Sequence, residues 1–424
     1  MKYSSTRGRS PSVDFSTALS AGLAPDGGLY VPESFPRADL SKLSMQMSLP
    51  QFGAAVAGPF LAGDYLEDQI TGICKAALDF PIPLRMRGTK PAVLELFHGP
   101  TAAFKDVGAR FLAECVVRLP SARQRTVIVA TSGDTGGAVA GAFHGKPGIE
   151  VVVLYPKGKI SSRQEKQIAC WGGNVRAVSV RGNFDDCQRL VKETLRDESL
   201  RSQKLFVSAN SINIGRLLAQ VIYYVRASFE YEKSTGRAAG FIVPTGNLGN
   251  AFAALWAKRI GFPIRKVVLA TNANKSIANY FASGKWQAEP TVATLANAMD
   301  VGDPSNMERL RWLYPDPQAM KNDVAAQSVS DDEIRAAIKA AAIDDEIWCP
   351  HTATAARACE AMGSPASSED WILVATAHPA KFETIVEPLV GREVEIPPQL
   401  AALLDRTPKA DEIEPTAQAL RALL

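Results

Sequence analysis

The sequence predicts an α/β protein: two open α/β domains with parallel or mixed sheets, preceded by a mainly helical N-terminal domain. Three observations lead there. Apolar, β-branched runs recur from about residue 93, at 126–130 (TVIVA), 151–155 (VVVLY), 175–180 (VRAVSV) and 205–208 (LFVS). Helical spacing fills the gaps, around 135–144, 161–170, 183–197 and 213–234. The pattern then restarts after residue 238. Continuous apolar strands alternating with helices make sheets covered on both faces.

Residues 1–92 lack this rhythm. Asp14 to Leu19 opens a short helix that Gly22 stops, and the turn Ala24-Pro25-Asp26-Gly27-Gly28 precedes a short strand. Residues 64–79 are amphipathic. The first α/β domain is expected over 93–238. The second, over 239–424, has strands at 241–244, 267–270 and 371–375. Its helices are expected near 250–259, 305–315, 331–344, 352–361 and 380–389. Residues 284–330, rich in Pro, Asp and Asn, read as an excursion with short helices.

Composition bounds the function. Of 424 residues, 46% are hydrophobic and 21% charged, as in ordinary globular enzymes. The net charge of +3 comes without a basic block, which argues against a nucleic-acid partner. The opening MKYSSTRGRSPSVDF has no apolar core behind its basic residues and does not read as a secretory signal. No apolar segment reaches membrane-spanning length, so the cytoplasm is expected. Six scattered cysteines without C-x-x-C read as buried thiols, and four histidines without metal-ligand spacing predict no metal site.

The chemistry concentrates in Phe97-His98-Gly99-Pro100-Thr101-Ala102-Ala103-Phe104-Lys105-Asp106. Helical spacing begins just after it, with Val107, Phe111 and Cys115 four apart. Lys105 therefore lies at a helix start, where the dipole disfavours a cation. Such local conflicts mark functional sites. For the residue taken alone, a lysine with its stem on apolar surface and its amine in water is the commoner case, and it is the motifs further along that change the reading. His98 reads either as an active-site donor or as a residue satisfying its own turn.

Two strand ends run into glycine-rich turns. One is Thr131-Ser132-Gly133-Asp134-Thr135-Gly136-Gly137; the other is Thr245-Gly246-Asn247-Leu248-Gly249-Asn250. A strand, a glycine turn and a helix N-terminus form an anion site. A single such turn reads more readily as a tight turn whose glycines allow close packing, but two in one chain favour the anion reading. Neither turn is a Rossmann or Walker motif. Asp134 would repel a phosphate, so the second turn suits one better. A lysine at a helix start, a polar turn with a carboxylate and a phosphate-cradling turn together point to pyridoxal 5'-phosphate.

The segments HGPTAAFKD, ATSGDTGGAVA, PTGNLGN and ATAHPAKF, in this order, resemble the threonine synthase family. So do the opening KYSSTRG, YPKGKISSRQEKQ and ANSINIGRLLAQ, and the long N-terminal region resembles the bacterial and fungal subgroup. The resemblance implies the tryptophan-synthase-β-like fold and conversion of O-phospho-L-homoserine and water to L-threonine and phosphate, the last step of threonine biosynthesis. It places the Schiff-base lysine at Lys105. It places the cofactor phosphate on Gly246, Asn247, Leu248, Gly249 and Asn250, and the partner of the pyridine nitrogen at Thr376. Asp134 falls where related enzymes of this fold carry an Asn beside the ring oxygen, and so departs from their pattern. Thr131, Ser132 and Thr135 are candidates for the substrate α-carboxylate. Lys159, Ser161, Asn213 and Arg216 are candidates for the substrate phosphate, with Lys159 and Arg216 reading equally as solvated surface charge. A dehydratase or cysteine-synthase-like enzyme of the same fold, and a non-catalytic metabolite binder, stand as alternatives. Asp134 and the cation clusters argue against the first, and retention of Lys105, Thr376 and both turns against the second.

Overall fold

The computed structural model describes residues 1–362 and 370–424. Two sheets carry the site. In the five-stranded sheet the order is Ala410–Ile413, Val175–Val180, Ile149–Pro156, Arg125–Ala130 and Leu205–Ser208, all parallel. In the six-stranded sheet the order is Val324–Ser328, Ile264–Thr271, Ala239–Pro244, Trp371–Ala375, Lys90–Glu95 and Leu84–Arg87. Its last pair is antiparallel and the rest parallel, which makes it mixed.

The inner strands are apolar on both faces because helices cover both. Val127 and Val129 pack into one hydrophobic cluster and Ile128 into another. The long helix Ile214–Thr235 is buried along most of its length and packs against Lys105–Arg118 and Gly249–Arg259. It runs on until Gly236, whose left-handed conformation caps it.

The sheets depart from the contiguous division 1–92, 93–238 and 239–424. Strand Lys90–Glu95 belongs to the six-stranded sheet, where Val93 pairs with Leu373. Ala410–Ile413, near the C-terminus, joins the five-stranded sheet instead and covers its edge beside Val175–Val180. The N-terminal region holds the expected short helix Phe15–Ala21, capped by Asp14 and stopped by Gly22. It also holds an antiparallel pair, Tyr3–Ser5 with Tyr30–Pro32, and the helix Leu49–Ala57, which Ser48 and Gln51 start with a capping box.

Candidate active site

The turn before Lys105 is tightly built. Ala102 holds a positive φ of 53°, and a Cβ on Gly99 would lie 2.5 Å from Asp106 Oδ2. Asp106 closes the turn by accepting from the Thr101 N–H at 2.8 Å and the Thr101 hydroxyl at 2.7 Å. Burial raises its carboxyl above the usual range, and the Thr101 donors only partly offset that. The turn is also pinned to the end of Trp371–Ala375: His378 N–H donates to the Ala102 carbonyl at 3.0 Å, and Phe104 N–H to the Thr376 carbonyl at 2.8 Å.

Lys105 opens the helix Lys105–Arg118. Its Nζ donates to the Thr135 hydroxyl at 2.9 Å, which ties it to the first glycine turn. The residue is half-buried and its amine is bonded inside the protein, so the reading with an amine in open water does not hold. Burial lowers its pKa to about 8; Asp134 opposes the shift, while Arg216 and Lys381 add to it.

Asp134 begins the helix Asp134–Phe143 just after Gly133, whose φ of 140° suits glycine. Its Oδ1 accepts from Lys381 Nζ at 2.9 Å and from Gln164 Nε2 at 3.1 Å. The two side chains of the ion pair are 4% and 0% exposed. Burial alone would raise the Asp134 carboxyl, but Lys381 and Lys105 outweigh it and hold the group well below the usual carboxylate range. Thr131 is spent on the turn itself: its hydroxyl accepts from Gly133 N–H at 3.0 Å and Gly136 N–H at 2.9 Å. Ser132 and Thr135 remain partly exposed.

The second turn joins Ala239–Pro244 to the helix Gly249–Arg259. A Cβ on Gly246 would lie 2.7 Å from the Met299 Cα, so only glycine fits there. Leu248 is held at φ 62°. The N–H groups of Gly246, Asn247 and Leu248 have no protein acceptor among the described residues. Asn250 Oδ1 accepts from the Tyr223 hydroxyl and, at 2.9 Å, from that of Tyr224. Its Nδ2 is buried without a partner. Unspent backbone donors and an orphaned amide at a helix start fit a phosphate group. Asn247 steadies the turn, accepting from Ser305 N–H at 2.6 Å and donating to Ser211 Oγ at 2.7 Å.

The remaining candidates divide. Arg216 is buried, not solvated; Nη1 donates to the Ala209 carbonyl at 2.8 Å and Nε has no partner. Burial lowers its pKa to about 10, which leaves a cation at neutral pH close enough to Lys105 to depress it. Asn213 is fully used as a helix cap, donating to the carbonyls of Leu19 and Ser208 and accepting from Gly215 N–H. Ser161 caps its own helix and donates to the Lys381 carbonyl at 3.2 Å. Lys159 is exposed, and no hydrogen bond or ion pair ties it to the Lys105 cluster among the described residues. His98 pairs with Glu95 at 2.8 Å.

Sequence reasoning missed several members. Lys381 stands in ATAHPAKF, but nothing in its spacing marks it as a partner of Asp134. Gln164 and His351 are likewise unmarked. His351 is buried near Asp134, and its Nε2 accepts from Ala298 N–H at 3.2 Å. No group of His, Cys, Asp or Glu able to hold a metal ion occurs among the described residues.

A family model described as pyridoxal-phosphate dependent enzyme matches residues 92–377. Models of the threonine synthase N terminus and C-terminal region match residues 2–78 and 352–424. The threonine synthase of Haemophilus influenzae is 40% identical over 97% of this chain and 96% of its own. The chain belongs to the threonine synthase family. The crystal structure of threonine synthase from Escherichia coli superposes with a TM-score of 0.92 at 36% identity, covering 100% of this chain and 99% of that one. A threonine synthase structure from Brucella melitensis with pyridoxal phosphate bound gives the same TM-score at 33% identity, over 100% of this chain and 98% of that one. In this family member, then, both glycine turns and Lys105 belong to a pyridoxal-phosphate dependent enzyme.

Proposed function

We propose that this chain converts O-phospho-L-homoserine and water into L-threonine and phosphate, with pyridoxal phosphate as cofactor. The observation that carries the reading is the placement of Lys105. Its amine is bonded to one glycine turn, and the helix Ile214–Thr235 brings Arg216 to it and Tyr223 and Tyr224 to the other.

When bound, the cofactor supplies an aldehyde for covalent capture and a sink for negative charge on substrate carbon. The unspent N–H groups of Gly246, Asn247 and Leu248, the helix start at Gly249 and the Asn250 amide would hold its phosphate, and Thr376 would offer its pyridine nitrogen a neutral hydroxyl. Lys105, with its amine near half-protonated around pH 8, moves protons at the substrate Cα and then Cβ. Thr135 orients that amine. Ser132 and Thr135 receive the α-carboxylate, while Thr131 shapes the turn that presents them. Arg216 binds the substrate phosphate with its free Nε–H and stabilises it as it leaves Cγ. Lys105 returns protons to Cγ and Cα, and water supplies the hydroxyl at Cβ. Ser161 and Asn213 act through the backbone they cap. Lys159 guides the anionic substrate from the surface. A cytoplasmic location and a small-molecule substrate without nucleic acid complete the proposal, and the small net charge of +3 supports the latter.

Mass spectrometry of products from a panel of phosphorylated and unphosphorylated amino acids tests this. Threonine and phosphate should appear together from O-phosphohomoserine. Turnover confined to serine or threonine would contradict it and favour a dehydratase.

A further inference from the structure

We infer that Lys381 is a positioning residue of this site: its ammonium group clamps the Asp134 carboxylate and the Thr101 carbonyl, and so keeps Asp134 from capturing the Lys105 amine. The inference rests on the functional reading above. Lys381 Nζ lies 2.9 Å from Asp134 Oδ1 and donates to the Thr101 carbonyl at 2.8 Å. One buried cation thus joins the turn before Lys105, the first glycine turn and the segment after Thr376.

The charges around Lys105 explain why this matters. Among the described residues, Asp134, Arg216, Lys381 and His351 are the titratable groups that interact with its amine. Asp134 is the one carboxylate among them. A buried carboxylate that stays ionised is stabilised by a neighbouring cation. Without Lys381, Asp134 keeps Gln164 as a donor, and the next cation acting on it is Lys105, bonded to the adjacent Thr135. A Lys105 held in that ion pair stays protonated and cannot attack an aldehyde or remove a proton. With Lys381 in place, Asp134 is satisfied and the Lys105 amine is left to Thr135.

The backbone at Lys381 is fixed independently of its side chain. Its carbonyl accepts from the Ser161 hydroxyl at 3.2 Å, and the Arg163 guanidinium donates to the Ala380 carbonyl. Lys381→Met therefore removes the charge while retaining the anchor and most of the side-chain volume.

The test measures how fast the full-length chain, freed of cofactor, takes up pyridoxal phosphate at different pH, followed by its visible band. Wild type should show a midpoint near the Lys105 pKa of about 8. Lys381→Met should move the midpoint up by about one pH unit or more, because a cation is lost and a carboxylate is unmasked. Asp134→Asn should move it down, and the double variant should return toward wild type. Lys381→Arg should stay close to wild type. A folded Lys381→Met with an unmoved midpoint would make Lys381 a structural staple and overturn the inference. Should Lys381→Met fail to fold, Lys381→Gln, which keeps a donor for the Thr101 carbonyl but carries no charge, takes its place: an unmoved midpoint overturns the inference. A wild-type chain that takes up no pyridoxal phosphate overturns the functional reading, and this inference with it.

Discussion

Arg309 donates to the carbonyl oxygen of Tyr30 twice, from Nε at 3.1 Å and from Nη2 at 2.9 Å. The same guanidinium reaches Ile212 O at 2.7 Å and Asn306 Oδ1 at 2.6 Å, and Asn306 in turn donates to Asn247 O at 2.8 Å. One fully buried side chain thereby connects the N-terminal strand pair to the second glycine turn. Burial lowers its pKa to about 9. Arg309→Met would leave buried carbonyls without donors, at about 1–3 kcal/mol each. We expect a lower unfolding midpoint in urea together with weaker pyridoxal phosphate binding. Loss of neither would show that the connection is dispensable.

Asn250 and Gly246 should matter to cofactor affinity rather than to chemistry alone. Asn250→Ala removes the orphaned Nδ2 and should raise the dissociation constant of pyridoxal phosphate about tenfold, the worth of one hydrogen bond to an anion. Gly246→Ala should be more severe, because its Cβ would meet the Met299 backbone at 2.7 Å. Fluorescence titration of the cofactor-free chain reads both.

Arg216→Ala should raise KM for O-phosphohomoserine and lower kcat/KM by about 10- to 100-fold, the loss of a charge-assisted contact in a buried site. Arg216→Lys should recover little, since a single ammonium cannot reproduce the Nη1 bond to Ala209 while offering a second donor in the direction of Nε. Steady-state kinetics decide. Unchanged constants in Arg216→Ala would remove Arg216 from the substrate site.

Two histidines, His351 buried and His378 half-buried, predict acid sensitivity. Burial lowers the pKa of His351 to about 4 and that of His378 to about 4. Unfolded, each titrates near the ordinary value of about 6.5. Between these values the unfolded chain binds more protons, so stability falls as pH drops from about 6.5 toward 4 and is fully present above that window. His351→Gln retains an acceptor for Ala298 N–H without titrating. It should flatten the dependence of Tm on pH across this window, with His378 supplying the slope that remains. An unaltered slope would contradict the assignment.

Much of the fold was legible because its strands are short, apolar and punctuated. The run at 175–180 is the strand Val175–Val180, and the run at 371–375 is Trp371–Ala375. Strand partnership was not legible. Lys90–Glu95 precedes Lys105 in the chain yet pairs with Trp371–Ala375, and local pattern carries no record of such a distant partner. Val324–Ser328 carries no strand signal in the sequence, because Ala325, Ala326, Gln327 and Ser328 lack β-branched bulk. The Lys105 turn and both glycine turns stood out because each breaks a local rule. Lys381 did not, since a lysine near a proline looks like surface until the fold buries it against Asp134. Arg216 was recognisable as a cation at a helix start, but its burial comes from packing of the helix Ile214–Thr235 against Lys105–Arg118.

The most direct measurement is borohydride reduction of the full-length chain with pyridoxal phosphate, followed by peptide mapping. The pyridoxyl mass should be found on Lys105, with the visible band lost on reduction and absent from Lys105→Ala. A colourless protein, or label distributed over surface lysines with Lys105 unmodified, would contradict the assignment of Lys105 as the residue that captures the cofactor.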